Sequence, residues 1–137
     1  MRLDPSAFLA DPELIMALEL RATPIPCPED RLLFQQGDPP IGLYILSSGE
    51  AKLSMDSGHE KIEFTCEAKA GSLLGLPGLI ANQPYSLTAI ARKGASIGFI
   101  AREEFNTLMR TELPLMVKIL QVLAAEVRSA RLAITQG

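Results

Sequence analysis

One segment of the sequence, residues 71–89, combines the residue types that could hold a small anion. Three glycines precede or begin a short apolar stretch that ends at Asn82, and a Pro-Tyr-Ser sequence follows it. Glycine lets the backbone approach a ligand closely, and free amide groups at the start of a helix can receive a negative charge. A glycine-rich turn alone is a weak indication of such a site. We call residues 71–89 the cassette. Its candidate ligand-binding residues are Gly75, Leu76, Pro77, Tyr85, Ser86 and Leu87.

The other reactive residue types do not form a catalytic or metal-binding pattern. The single histidine, His59, lies beside Glu60 in a predicted hairpin loop, and Cys27 and Cys66 lack a CxxC spacing. Covalent or acid–base catalysis needs a nucleophile with a base or paired carboxylates, and a structural zinc site needs clustered ligands. We therefore predict that the protein is not an enzyme and holds no metal. A small anionic or nucleotide-like molecule is the ligand class that the cassette suggests.

Composition limits the partners and the compartment. A chain of 137 residues fits one domain, and its 47% hydrophobic and 21% charged residues are typical of a globular protein. The net charge of -3 gives no basic surface for DNA, so we expect no direct DNA binding by this chain. The N-terminus lacks the apolar core of a signal peptide, and no apolar run approaches about 18 residues. We expect a cytoplasmic protein, without membrane attachment, whose two thiols are buried and free.

The elements that must position the cassette can be predicted from spacing and turn residues. Asp11-Pro12 matches a helix N-cap followed by proline at the first helical position, and Pro24 prevents this helix from continuing. Between residues 24 and 101, short stretches alternate apolar and polar side chains and are separated by glycine-rich turns, which is typical of a small antiparallel sandwich or barrel. Helical spacing returns over 102–137. The prediction is a single mainly β domain, with a helical segment over 1–23 and helices after the strands.

Several motifs, in this order, resemble the cyclic-nucleotide-binding domains of the Crp/Fnr bacterial regulators over about residues 10 to 135. They are Phe34-x-x-Gly37-Asp38, Leu43-Tyr44-Ile45-Leu46-x-Ser48-Gly49, and Gly71-Ser72-x-x-Gly75 followed by Pro84-x-Ser86-x-Thr88-Ala89. The resemblance implies an antiparallel β-roll, a double-stranded β-helix or jelly roll, flanked by helices. It also implies that residues 71–89 are the phosphate-binding cassette, that a long C-terminal helix pairs two subunits, and that the function is signal transduction in transcription regulation.

The cassette departs from the family where the ligand chemistry is concentrated. Family members that bind cyclic AMP have a glutamate for the ribose hydroxyl and an arginine for the cyclic phosphate. These positions fall at Leu76 and Tyr85, and Pro77 removes one more backbone N–H. Because a buried phosphate without a cation is costly, we expect that cyclic AMP is not bound in the usual way.

The final helix carries an apolar seam. It is predicted to begin at Pro114 and to continue for about 23 residues, since no helix breaker occurs before Gly137. A second apolar row, Leu115, Ile119 and Val122, is predicted to pack on the helix's own β-roll. The remaining face is predicted to be charged and to face solvent, and it carries Lys118, Glu126, Arg128 and Arg131. The seam is then free to pair two copies in a parallel homodimer. Its residues follow a 4-3-4-3-4 spacing: Met116, Leu120, Leu123, Val127, Ala130 and Ile134.

Three functions fit this sequence. The first is a regulatory ligand-sensing domain whose ligand is unknown. The second is a ligand-free module for dimerisation or protein interaction that has kept the β-roll and lost the pocket. The third is the sensor half of a transcription regulator whose DNA-binding domain is absent from this chain, because family members carry such a domain after the long helix and this sequence stops near that point.

Overall fold

The computed structural model describes residues 2–56 and 62–136, and the side chains of all of these except Ala130 and residues 132–136. The predicted hairpin tip with His59 lies outside the described residues. The helical elements are a 3-10 turn (Pro5–Phe8), α1 (Pro12–Glu19), α2 (Leu76–Ala81), α3 (Arg102–Thr111) and α4 (Leu113–Gln136). The strands are β1 (Thr23–Ile25), β2 (Arg31–Phe34), β3 (Gly42–Ser48), β4 (Ala51–Asp56), β5 (Glu63–Ala68), β6 (Ser72–Leu74), β7 (Thr88–Ala91) and β8 (Ser96–Ala101).

The strands of the described residues form two four-stranded antiparallel sheets. The first has the order β1-β8-β3-β6 and the second β2-β7-β4-β5. Consecutive strands often lie in different sheets, so the chain winds between them as in a jelly roll. This arrangement, with helices before and after it, confirms the predicted β-roll with a long C-terminal helix.

Strand β3 contributes side chains to two apolar cores, one on each face of its sheet. Its side chains alternate in direction, because successive residues of a strand point to opposite faces. Tyr44 and Leu46 enter the core between the sheets, while Leu43 and Ile45 enter a second core beneath the helices. Both faces of β3 are therefore buried, and its sequence is a continuous apolar run.

The second core attaches the helices to the first sheet. Leu14 and Leu18 of α1, Phe105 of α3 and Ile119 of α4 are all at most 1% exposed and belong to this cluster. Asp11 caps α1 as predicted, because its side chain accepts a hydrogen bond of 2.8 Å from the Leu14 amide. Helices α1, α3 and α4 thus pack against the β-roll.

Two short strands were not identified from the sequence. β1 contains Pro24, which cannot donate a ladder hydrogen bond, and it lies at the edge of its sheet, where proline is tolerated. β6 lies inside the predicted cassette and pairs with β3 from Ser72 to Leu74. The first part of the cassette is therefore a sheet strand, and the part that resembles a ligand-binding loop begins at Gly75.

Candidate functional site

The cassette turns sharply at Gly75 to start the short helix α2. Gly75 has a φ of 91°, in the left-handed region that favours glycine, and a Cβ at this position would lie 2.7 Å from the Tyr85 ring. Asn82 ends the helix, also in the left-handed region, with a φ of 53°. Conformation and space both require glycine at position 75, so its structural role is clear without a ligand.

Tyr85 is a core residue that closes the cassette. Only 2% of it is exposed, and its ring stacks on Phe34 with a centroid distance of 4.1 Å. Its hydroxyl donates to the Gly42 carbonyl at 2.6 Å and accepts from the Gly42 amide at 3.1 Å. Burial raises the pKa of the phenol above its ordinary value of 10.0. Tyr85 therefore ties the cassette to strand β3 and does not face an open pocket.

Leu76 also points into the protein. It is fully buried in the core beneath the helices, together with Ile119 and Val122 of α4. Pro77 follows it within the first turn of α2 and supplies no amide N–H. The two positions at which the family resemblance places a glutamate and an arginine are thus both part of the apolar core.

The other half of the cassette lines a cavity beneath α4. Its volume is about 260 Å³, slightly below the range of about 300–1,000 Å³ that is usual for small-molecule sites. Pro77, Ser86 and Leu87 of the predicted cassette line this cavity, whereas Gly75, Leu76 and Tyr85 are absent from its wall. The described residues that line the cavity are Leu3, Phe8, Met55, Pro77, Ser86, Leu87, Glu126, Val127, Ser129 and Arg131.

Glu126 is the unusual residue of this wall. It is 5% exposed, and its Oε1 atom is buried without a hydrogen-bond partner among the residues that the structure describes. Burial raises the pKa of this carboxyl well above its ordinary value of 4.5, because the charged form loses its hydration. A buried polar atom without a partner costs free energy, so Glu126 needs an explanation.

Glu126 also corrects the sequence interpretation of α4, which placed this residue with Lys118, Arg128 and Arg131 on a charged, solvent-facing side. It instead continues the inward row, since it follows Ile119 and Val122 at helical spacing and is buried like them. The signal was present in the sequence as a carboxylate four residues after Val122, on the apolar face. Sequence reasoning also missed Leu3, Phe8 and Met55, which the fold brings to the cavity from outside the cassette.

The predicted seam of α4 is partly exposed. Leu120 is 40% exposed and Val127 46%, while Met116 and Leu123 are half-buried. Leu123 packs against the core beneath the helices, so it is shared between the seam and its own domain. The side chains of Ala130 and Ile134 lie outside the described residues. Leu113 and Val117 extend the exposed apolar surface toward the start of the helix.

Polar contacts hold α4 in place over the domain. Lys118 contacts Asp11 at 2.9 Å and Glu13 at 3.1 Å, and these contacts raise the pKa of the ammonium group. The Asp4 amide donates to Ser129 Oγ at 3.3 Å at the far end of the cavity. Helix α4 therefore forms one wall of the cavity while being anchored on both sides of it.

The cysteines are free and buried, as predicted. Burial raises the pKa of the Cys66 thiol to about 11, so it carries little thiolate at neutral pH. No group of three or more potential ligands of the His, Cys, Asp or Glu type surrounds a metal position in the described ranges 2–56 and 62–136. Over the same part of the chain, no helix is long and apolar enough to cross a membrane.

The fold agrees with comparisons to known proteins. A family model described as the cyclic nucleotide-binding domain matches residues 25–112. The chain belongs to this family. No curated protein matches the chain by sequence. The matched range begins at the last residue of β1 and includes all later strands, the cassette and α3. It confirms the family that the sequence motifs predicted.

Solved structures of cyclic nucleotide-binding domains and regulators share this architecture. The Thermus thermophilus catabolite activator protein is 26% identical, with a TM-score of 0.73 over 97% of this chain and 62% of that protein. The c-di-GMP responsive global regulator CLP of Xanthomonas campestris is 20% identical, with a TM-score of 0.64 over 89% of this chain and 64% of that one. A transcriptional regulator from Thermotoga maritima is 19% identical, with a TM-score of 0.70 over 90% of this chain and 98% of that one. This chain therefore spans under two thirds of the first two proteins.

Proposed function

We propose that this chain is a non-enzymatic, cytoplasmic ligand-sensing domain that takes part in transcription regulation, and that the cavity beneath α4 is its ligand site. The observation that carries the proposal is the composition of the cavity wall. Ser86 and Leu87 come from the cassette, and Val127 and Ser129 come from α4. A ligand in this cavity would contact the β-roll and the long helix together, and it could therefore change how the helix is held.

The usual binding mode for cyclic AMP is unfavourable in this protein. Tyr85 and Leu76 are both buried in the core, away from the cavity, so the positions expected to bind the phosphate and the ribose present no side chain there. Pro77 lines the cavity without an N–H to offer. The Xanthomonas regulator is described as c-di-GMP responsive, which indicates that proteins with this fold respond to more than one ligand.

We also propose that two copies associate through the exposed apolar side of α4. Leu113, Val117 and Leu120 are each at least 40% exposed along one helix. Soluble monomers rarely leave a long apolar stripe uncovered, and a symmetric helix pair covers it with an identical stripe. The net charge of -3 favours control through ligand and protein contacts over direct DNA binding by this chain. The ligand-free interaction module remains the alternative, and this same stripe favours it.

A thermal-shift screen of nucleotides and small anions tests the ligand site. A molecule that binds the folded state raises its melting temperature. The variant Ser86→Trp places a large ring at the cavity wall, whereas Ser96→Trp adds the same ring at an exposed serine of β8, outside this cavity. A ligand of the proposed site should stabilise the wild type and Ser96→Trp but not Ser86→Trp. If Ser86→Trp responds like the wild type to every ligand that binds, the cavity is not the site.

A further inference from the structure

We propose that this cavity selects a small, largely apolar ligand that carries a hydrogen-bond donor, neutral or cationic, and that Glu126 is the acceptor that recognises it. The inference rests on the proposed function, because it takes the cavity beneath α4 to be the ligand site. It adds the chemical class of the ligand, and this class differs from the anion that the cassette suggested.

The acceptor is defined by burial and by the lack of a partner among the described residues. Glu126 lies in the cavity wall, it is 5% exposed, and its Oε1 atom is buried with no hydrogen bond to any residue that the structure describes. Folded proteins satisfy nearly all buried polar atoms, and a buried acceptor without a partner costs free energy. An N–H or O–H group of a ligand would remove this cost and would gain a hydrogen bond shielded from water.

The remaining wall sets the size and polarity of the ligand. The chain contributes mainly apolar side chains around Glu126, from Leu3, Phe8, Met55 and Leu87. A cavity of about 260 Å³ lined in this way favours a compact hydrocarbon or aromatic body. Transfer of such a body from water stabilises the complex by roughly 25 cal/mol per Å² of buried apolar surface.

An anionic ligand is disfavoured by the same arrangement. A phosphate or carboxylate close to Glu126 would meet an acceptor rather than a donor whenever that carboxyl is ionised, and like charges repel. Arg131 is a cationic residue of the described wall, but it is exposed, so its charge is screened by water. A donor-bearing ligand fits this wall without burying an unpaired charge.

Four probes of nearly equal size separate the ligand classes. Benzylamine and benzyl alcohol carry a donor, toluene carries none, and benzoate is an anion. Methyl resonances of Met55, Leu87 and Val127 report binding inside the cavity, because all three side chains line it. We expect benzylamine and benzyl alcohol to bind about tenfold or more tightly than toluene and benzoate, since each factor of ten corresponds to about 1.4 kcal/mol.

Variants of Glu126 test whether its carboxyl causes the difference in affinity between the probes. Glu126→Leu should weaken benzylamine binding about tenfold and leave toluene binding unchanged. Glu126→Gln keeps a carbonyl acceptor, so it should retain benzyl alcohol better than benzylamine. Glu104→Gln, at an exposed glutamate of α3, is the matched control and should leave all four affinities unchanged. Methyl spectra of each free variant report whether the fold is retained.

The outcomes separate the two claims. The inference is overturned, with the cavity still a ligand site, if benzoate or toluene perturbs the cavity methyl groups as tightly as the amine does. It is overturned in the same way if Glu126→Leu binds benzylamine like the wild type. If none of the probes perturbs these methyl groups, and no nucleotide does so either, both the inference and the proposed ligand site fail.

Discussion

The two faces of α4 differ in what they contact, and this difference separates folding from function. The inward face places Ile119 and Val122 in the core and then places Glu126 over a cavity. The outward face exposes Leu113, Val117 and Leu120, which a folded single domain does not need. The inward face holds the helix on its own β-roll. It includes the Glu126 carboxyl, whose Oε1 atom has no partner among the described residues. The outward face remains available for a second copy. Each variant below changes one face, or the core near it, and leaves the other face intact.

The largest effect is expected where charge is forced into the core under the inward face. The double substitution Leu76→Glu with Tyr85→Arg restores the residue types of cyclic-AMP-binding relatives, but both positions are buried in this fold. Removing the tyrosine also leaves the Gly42 amide and carbonyl without their partner. We expect the double variant to be unfolded at room temperature, as measured by circular dichroism, because each buried charge costs several kcal/mol. Ser86→Arg, which adds a cation at the cavity wall without entering the core, should remain folded. A double variant that folds and binds cyclic AMP would contradict this account.

The next effect is the loss of apolar contact on the inward face. Ile119 is completely buried, so Ile119→Ala should lower the free energy of unfolding by about 2–5 kcal/mol. Val117→Ala, two residues earlier on the outward face, shortens a side chain that is 47% exposed. It should change the free energy of unfolding by less than about 0.5 kcal/mol. Urea denaturation measures both values. Equal effects would mean that the two faces do not differ in burial.

A substitution of Glu126, on the same inward face, should raise the free energy of unfolding where Ile119→Ala lowers it. Glu126→Leu removes a buried acceptor that lacks a partner in the described part of the chain, and it should raise the free energy of unfolding at pH 7 by roughly 1–3 kcal/mol. The gain depends on pH. Because the pKa of Glu126 is higher in the folded state than its ordinary 4.5, the folded protein binds the proton more strongly, and the wild type loses stability as the pH rises above about 4.5. The difference between the variant and the wild type should therefore be smaller at pH 4 than at pH 7. A wild type that gains stability relative to Glu126→Leu over this interval would disprove burial of an unpaired carboxyl.

The smallest effect on folding, and the clearest effect on assembly, is expected on the outward face. Leu120→Glu places a charge at a side chain that is 40% exposed, so the domain should stay folded. Two carboxylates would face each other across a symmetric helix pair, and the variant should sediment as a monomer whereas the wild type sediments as a dimer. Leu123→Glu is a less specific test, because Leu123 also packs on its own domain. A monomeric wild type would end the dimer proposal, and a dimeric Leu120→Glu would move the interface to another surface.

The sequence was sufficient for the fold because the strands near its centre alternate strictly. Ala51, Leu53 and Met55 point to one side of β4, and the structure buries the first two and half-buries the third. Turn residues such as Gly49, at a φ of 85°, mark where each strand ends. The edge strand with Pro24 was missed, because proline ordinarily argues against a strand and only the neighbouring β8 makes this position suitable.

The candidate site was only half predictable. The family resemblance predicted a cassette over residues 71–89, but it could not indicate which of its residues turn inward. The resemblance implies an arginine at position 85, where the structure places the ring of Tyr85 on Phe34 in the core. The cavity itself depends on residues distant in sequence, such as Phe8 and Val127, that only the tertiary fold brings together. Glu126 could have been found from helical spacing alone, since it continues an apolar row.

Calorimetric titration of the wild-type protein with cyclic AMP tests the central claim most directly, namely that this domain keeps the fold of its family while having lost the family's usual nucleotide chemistry. The account predicts a dissociation constant no tighter than about 1 mM, which corresponds to roughly -4 kcal/mol. Tyr85 and Leu76 offer no charge to the phosphate or acceptor to the ribose, since both lie in the core. A dissociation constant near 1 µM, or roughly -8 kcal/mol, would contradict the account.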